Sequence, residues 1–151
     1  MLNHLRDEGR RVLLCTVSSD SHTWNLVFLQ LLLEEHGHDV TNLGSCTPDD
    51  LVVARCLSDR PDLLVISTVN GHGHADGKRL ITKLRREPAL RTLPVVIGGK
   101  LGIAGAADVD RAGELVEAGF DAVFAEGADL SGFNRFVSTA RERRSLEGAA
   151  P

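Results

Sequence analysis

The feature that most constrains the fold is a repeated alternation of short strand-like runs with segments of helical spacing. Val12-Leu13-Leu14-Cys15-Thr16-Val17, Leu63-Leu64-Val65-Ile66-Ser67, Leu93-Pro94-Val95-Val96-Ile97 and Asp121-Ala122-Val123-Phe124-Ala125 are mainly apolar and too short to be helices. Runs with no polar face are strands buried on both sides, as in a parallel sheet covered by helices. A fifth run, residues 38–44, is shorter on apolar residues and reads as an edge strand.

Between these runs lie amphipathic or apolar segments with recognisable ends. Leu26, Val27, Leu29, Leu31, Leu32 and Leu33 form a strongly apolar helix that Gly37 can terminate. Thr47-Pro48-Asp49-Asp50 reads as a helix start, with Thr47 as N-cap and Pro48 in the first position. Leu80, Ile81 and Leu84 mark a third helix, residues 109–118 a fourth with Gly119 at its end, and Phe133, Phe136 and Val137 a fifth. Strand–helix alternation of this kind predicts an α/β, doubly wound, five-stranded parallel sheet with helices on both faces. The expected strand order is the flavodoxin-like (Rossmann-like) 2-1-3-4-5, with its switch point between strands one and three. Residues 1–10 read as a lead-in, 11–146 as one domain and 147–151 as a disordered tail.

Composition narrows the function classes. A net charge of -4 provides no basic footprint for nucleic acid or an anionic membrane. No apolar run is long enough to span a bilayer and the N-terminus lacks an apolar signal core, so the expectation is a cytoplasmic protein. Three cysteines with no C-x-x-C pair suggest neither a disulfide framework nor a zinc knuckle, and Cys15 reads as a small core residue. Aromatic residues are 4% of the chain with no tyrosine, so the core must be aliphatic.

Ligands of open α/β sheets bind at the carboxyl ends of the strands, so the loops there carry the candidate sites. Ser18-Ser19-Asp20-Ser21-His22-Thr23-Trp24-Asn25 follows strand one. Asp20 and His22 are two apart and in an extended segment share a side; together they could present a metal-ligating imidazole held by a carboxylate. The same residues could simply cap the next helix. The loop is polar, and it is expected to lose its anchor when no metal is bound. Trp24 reads as a packing residue before a stacking one.

The loop after strand three, Val69-Asn70-Gly71-His72-Gly73-His74, lacks the spacing of a dinucleotide fingerprint and has no Walker lysine. His72-x-His74 with His22 and Asp20 could form a zinc site only if the loops meet; solvated loop histidines are the alternative. Gly98-Gly99 after strand four means a tight turn or a close approach. A phosphorelay receiver would need an aspartate at the end of strand three, where Ser67-Thr68 stands, and a lysine at the end of strand five, where Ala125-Glu126 stands. A nucleophilic enzyme lacks its G-x-S-x-G elbow.

Asp20-x-His22, Ser67-x-Val69 and Gly98-Gly99, in order on the ends of strands one, three and four, resemble the D-x-H-x-x-G, S-x-L and G-G marks of the cobalamin-binding domain family. Asn42-Leu43-Gly44, Asn70-Gly71-His72-Gly73 and Phe124-Ala125-Glu126-Gly127 extend the similarity towards the small subunits of glutamate mutase-type carbon-skeleton mutases. The resemblance implies adenosylcobalamin as cofactor, with His22 as lower axial cobalt ligand and Asp20 on its far ring nitrogen. Ser19, Ser21, Thr23, Trp24 and Asn25 would surround that ligand. Ser67 would line the slot for the nucleotide tail, Gly98 and Gly99 would let backbone approach the tail, Val69, Gly71, Phe124 and Gly127 are further cofactor-binding candidates, and Lys100 could meet the cofactor's phosphate or a partner.

Asn25 stands where the family pattern has glycine, and Val69 where it has leucine. The implied partner is a large, barrel-type catalytic subunit, in a heterotetramer of two small and two large chains, without which this chain is inactive. A corrinoid carrier for methyl transfer and a cobalamin-responsive regulatory module are the alternatives.

Overall fold

The computed structural model describes residues 9–68, 73–99, 106–125 and 130–140. The described residues run β1 (Arg11–Thr16), α1 (Trp24–Glu35), β2 (Asp39–Asn42), α2 (Asp49–Asp59), β3 (Leu63–Thr68), α3 (Gly73–Arg86), β4 (Val95–Gly99), α4 (Ala106–Ala118), β5 (Ala122–Ala125) and α5 (Leu130–Thr139), with a 3-10 turn at Pro88–Leu90. The five strands form one parallel sheet in the order β2-β1-β3-β4-β5, as the alternation predicts. β2 is an edge strand. Among the described residues no helix is long and apolar enough to cross a membrane.

Strand residues alternate between two cores. Leu13, Cys15, Val17, Leu64, Ile66, Val95 and Ile97 pack with Val52 and Cys56 of α2, Leu80, Ile81 and Leu84 of α3 and Leu115 of α4. Val12, Leu14, Leu63, Val65 and Val96 pack on the other face with Leu26 and Leu33 of α1 and Phe133 and Val137 of α5. On the first face the helix lies close: a Cβ at Gly77 would come within 2.7 Å of Ile97 Cδ1. At the amino end of the sheet, Arg85 donates to the carbonyls of Leu90 and Leu93, both at 2.7 Å, and to Gly119 O. Asp121 accepts both Arg85 Nη2 and the β4 amide of Val95, so the end of α3 is tied to the start of β4 and β5.

Gly37 and Gly119 follow α1 and α4 with φ of +90° and +135°, in the left-handed backbone that glycine tolerates. Thr47 departs from its expected role. Pro48 takes the N-cap position of α2, and the Thr47 hydroxyl turns back to accept the Thr16 amide at 3.3 Å and donate to Gly44 O at 2.8 Å. Thr47 therefore ties the loop after β2 to the end of β1 rather than capping a helix.

Candidate functional site at the carboxyl ends of the strands

The loop leaving β1 places one carboxylate and one imidazole in a fixed relation. Asp20 is buried, with 1% exposure, whereas the His22 side chain is 59% exposed. Asp20 Oδ1 accepts the His22 backbone amide at 2.9 Å and lies 2.8 Å from the ring Nδ1. A carboxylate is an acceptor, so the Nδ1 proton points to Asp20. In the neutral ring the lone pair then sits on Nε2, the nitrogen free to bind a metal.

The loop has protein anchors of its own, contrary to the expectation that only a metal would hold it. Arg79 on α3 donates to Ser18 Oγ at 2.9 Å, to Asp76 Oδ1 at 2.8 Å and to Asp49 Oδ2 at 2.6 Å. Ser19 donates to the other oxygen of Asp76. Asp49, at the start of α2, is buried, and hydrogen bonding to it raises the Arg79 pKa further, so the guanidinium stays charged. From the opposite side, the Cys46 amide donates to Asp20 O at 2.7 Å. Arg79, Asp49, Asp76 and Cys46 escaped the sequence reading because nothing local links them to residues 18–20.

The other expected residues divide into two groups. Ser67 and Gly98 are neighbours across β3 and β4, and Gly98 pairs in turn with Phe124 on β5. A Cβ at Gly98 would lie 3.2 Å from Phe124 O, so this row has almost no room for a side chain. Phe124 meets Phe133 edge-on, with centroids 5.7 Å apart, and so closes the β5 end of the row against α5. Gly99, at φ +111°, lies against the Thr68 backbone, where a Cβ would run into the carbonyl oxygen.

Ser21, Thr23 and Trp24 are exposed and Asn25 is half-buried. Trp24 departs from its expected packing role: at 81% exposure it heads an outward stripe with Val27, Phe28 and Leu31. Val69, Gly71, Lys100 and Gly127 lie outside the described residues, as does His72. His74 Nε2 is 2.7 Å from Glu114 Oε1, at an angle outside hydrogen-bond geometry, so its neighbour is a carboxylate of α4. Among the described residues no group of three or more His, Cys, Asp or Glu gathers to hold a metal ion.

A single exposed imidazole whose other nitrogen is held by a buried carboxylate suits a cobalt that takes its remaining ligands from a corrin ring. The row Thr16, Ser67 and Gly98 sets two buried hydroxyls and a glycine side by side between the sheet and its covering helices. The Thr16 hydroxyl is buried without a hydrogen-bond partner.

Comparisons with known proteins bear on the family and the fold. The chain is 26% identical over 121 residues to the glutamate mutase sigma subunit of Fusobacterium nucleatum, covering 80% of this chain and 88% of that one. It is 33% identical over 91 residues to the HTH-type transcriptional repressor CarA of Myxococcus xanthus, covering 60% of this chain but only 31% of the repressor. A cobalamin-binding protein of Desulfitobacterium hafniense shares the fold at a TM-score of 0.65 and 22% identity, over 84% of this chain and 58% of that one. Residues 10–131 match the B12 binding domain, and the chain belongs to that family.

Proposed function

We propose that this chain is the cobalamin-holding subunit of an adenosylcobalamin-dependent carbon-skeleton mutase of the glutamate mutase type. The observation that carries the reading is the Asp20–His22 pair, a buried carboxylate fixing one nitrogen of an exposed imidazole at the end of β1. His22 Nε2 would hold the cobalt, and Asp20 would orient the ring and raise its basicity. Ser67 and Gly98, neighbours on β3 and β4, would line the slot for the nucleotide tail. Ser67 is 4% exposed in the free chain, so a tail in that slot would need the helices on that face to move outward.

When bound, the cofactor supplies a cobalt–carbon bond that breaks homolytically; the protein supplies binding and orientation. Substrate is held by a separate large subunit, and this chain alone is inactive. The exposed stripe of Trp24, Val27, Phe28 and Leu31 supports a protein partner on the α1 side, because a helix that is apolar all round calls for a second covering surface. The assembly proposed is two small and two large chains.

The test is the visible absorption spectrum of the purified chain titrated with cobalamin. The expected spectrum is base-off with histidine ligation, and it disappears in His22→Ala. An unchanged spectrum in the variant overturns the ligand assignment. The similarity to CarA favours a second reading, a cobalamin-responsive regulatory module. Addition of a large mutase subunit decides between them: the mutase reading requires turnover of an amino-acid substrate, which a regulatory module or a methyl carrier lacks.

A further inference from the structure

The Thr16 hydroxyl poses a specific problem. Thr16 is 1% exposed, and its Oγ1 has no hydrogen-bond partner, although its backbone amide is satisfied by Thr47. A buried hydroxyl without a partner is destabilising, and native structures keep few of them without a reason. A valine would fill the same space at no such cost.

Position supplies the reason. Along β1, Val12 and Leu14 face α1 and α5, and period-two alternation puts Thr16 on that same face, one row nearer the carboxyl end. In register, Thr16 pairs with Ser67, Ser67 with Gly98 and Gly98 with Phe124. Adjacent strands lie about 4.8 Å apart, so the Thr16 and Ser67 hydroxyls can address the same segment of a bound molecule. Sequence comparison by motif passes over Thr16, because it precedes the Asp20-x-His22 pattern and reads as an ordinary β-branched strand residue.

We propose that Thr16 is a further binding residue for the nucleotide tail, its hydroxyl gaining in the complex the partner it lacks in the free protein. This rests on the cobalamin reading above and extends its tail slot from β3 and β4 across to β1. The unsatisfied hydroxyl is a cost carried by the empty protein and relieved on binding. Thr16 thus trades stability of the free chain for affinity towards a tailed corrinoid.

The experiment compares wild type, Thr16→Val and Thr16→Ser in two measurements: the thermal midpoint of the free protein, and binding of cobalamin against cobinamide, a corrin lacking the nucleotide tail. Thr16→Val is expected to unfold at the same temperature or higher, to bind cobalamin about tenfold more weakly, and to bind cobinamide within about twofold of wild type. Thr16→Ser, which keeps the hydroxyl, is expected to retain cobalamin affinity.

Equal cobalamin affinity in Thr16→Val overturns the proposal. So does an equal loss for both corrinoids, which would place the effect at the His22 loop, and so does a lowered midpoint, which would mean the hydroxyl already has a partner. Failure of the underlying reading looks different: the wild-type chain itself then binds neither corrinoid.

Discussion

The two faces of the sheet are built from the same strands but end differently. On the face covered by α2, α3 and α4, apolar side chains run through Leu13, Cys15 and Val17 on β1, Leu64 and Ile66 on β3, and Val95 and Ile97 on β4, and only the final β3–β4 pair, Thr68 and Gly99, breaks the pattern. On the face covered by α1 and α5, the apolar rows stop short. Val12 and Leu14 give way to Thr16, Leu63 and Val65 to Ser67, and Val96 to Gly98. One face is therefore sealed by apolar side chains up to the Thr68–Gly99 pair at its end, and the other turns to small and polar groups one row earlier, at Thr16, Ser67 and Gly98. A site can be opened in a doubly wound sheet by changing residue size and polarity in one row, with the opposite core left as the rigid support.

The contrast can be broken or sharpened by experiment, and the sealed face supplies the largest expected effects. Burial pushes the Cys56 thiol up to about 12 and Cys15 higher still, while Cys46 is exposed. At pH 8 a thiol reagent should label Cys46 promptly and the other two about a thousandfold more slowly, with full labelling in denaturant. Comparable rates for all three would show that the sealed face opens readily.

Gly99→Ala comes next, since the new Cβ meets the Thr68 carbonyl at a backbone angle that alanine rarely adopts. A loss of about 3 kcal/mol or more in urea unfolding is expected. A matched pair of variants then compares the faces directly. Leu13→Ala should cost about 3 kcal/mol of stability. Ser67→Ala should cost about 1 kcal/mol or less while weakening cobalamin binding about tenfold. A Ser67→Ala variant as unstable as Leu13→Ala would mean that both faces are structural.

The smallest effect belongs to the amino end of the sheet. His38 is buried and accepts the Arg10 amide at Nδ1, and burial holds its pKa below the ordinary value. Its protonation is harder in the folded chain than in the unfolded one. Stability should therefore decline as pH falls below about 6.5 and level off beneath the folded pKa. His38→Asn, which can still accept from Arg10, should flatten that decline in thermal melts across pH.

The fold was legible because its signals are local: runs such as residues 63–67 have no polar face, and Gly37 and Gly119 mark helix ends. Asp20 and His22 were legible for the same reason, being two residues apart on one loop. What stayed hidden depends on distance in sequence. Arg79 reaches Ser18 across 61 positions, and Thr47 looks like a helix cap until its hydroxyl is seen to face β1. Trp24 was expected to pack, as large aromatics do, but it starts a helix whose inner face Leu26 and Leu33 already occupy.

His22 is more than half exposed, yet a single carboxylate oxygen holds both its backbone amide and its ring. The consequence is entropic. An exposed side chain normally surrenders its rotational freedom at the moment it binds a ligand. Here most of that freedom is already lost when the chain folds, so a ligand arriving at Nε2 meets an imidazole that has little left to give up. Replacing Asp20 would leave every atom of that imidazole in place and return its freedom, turning a poised ligand into a wandering one.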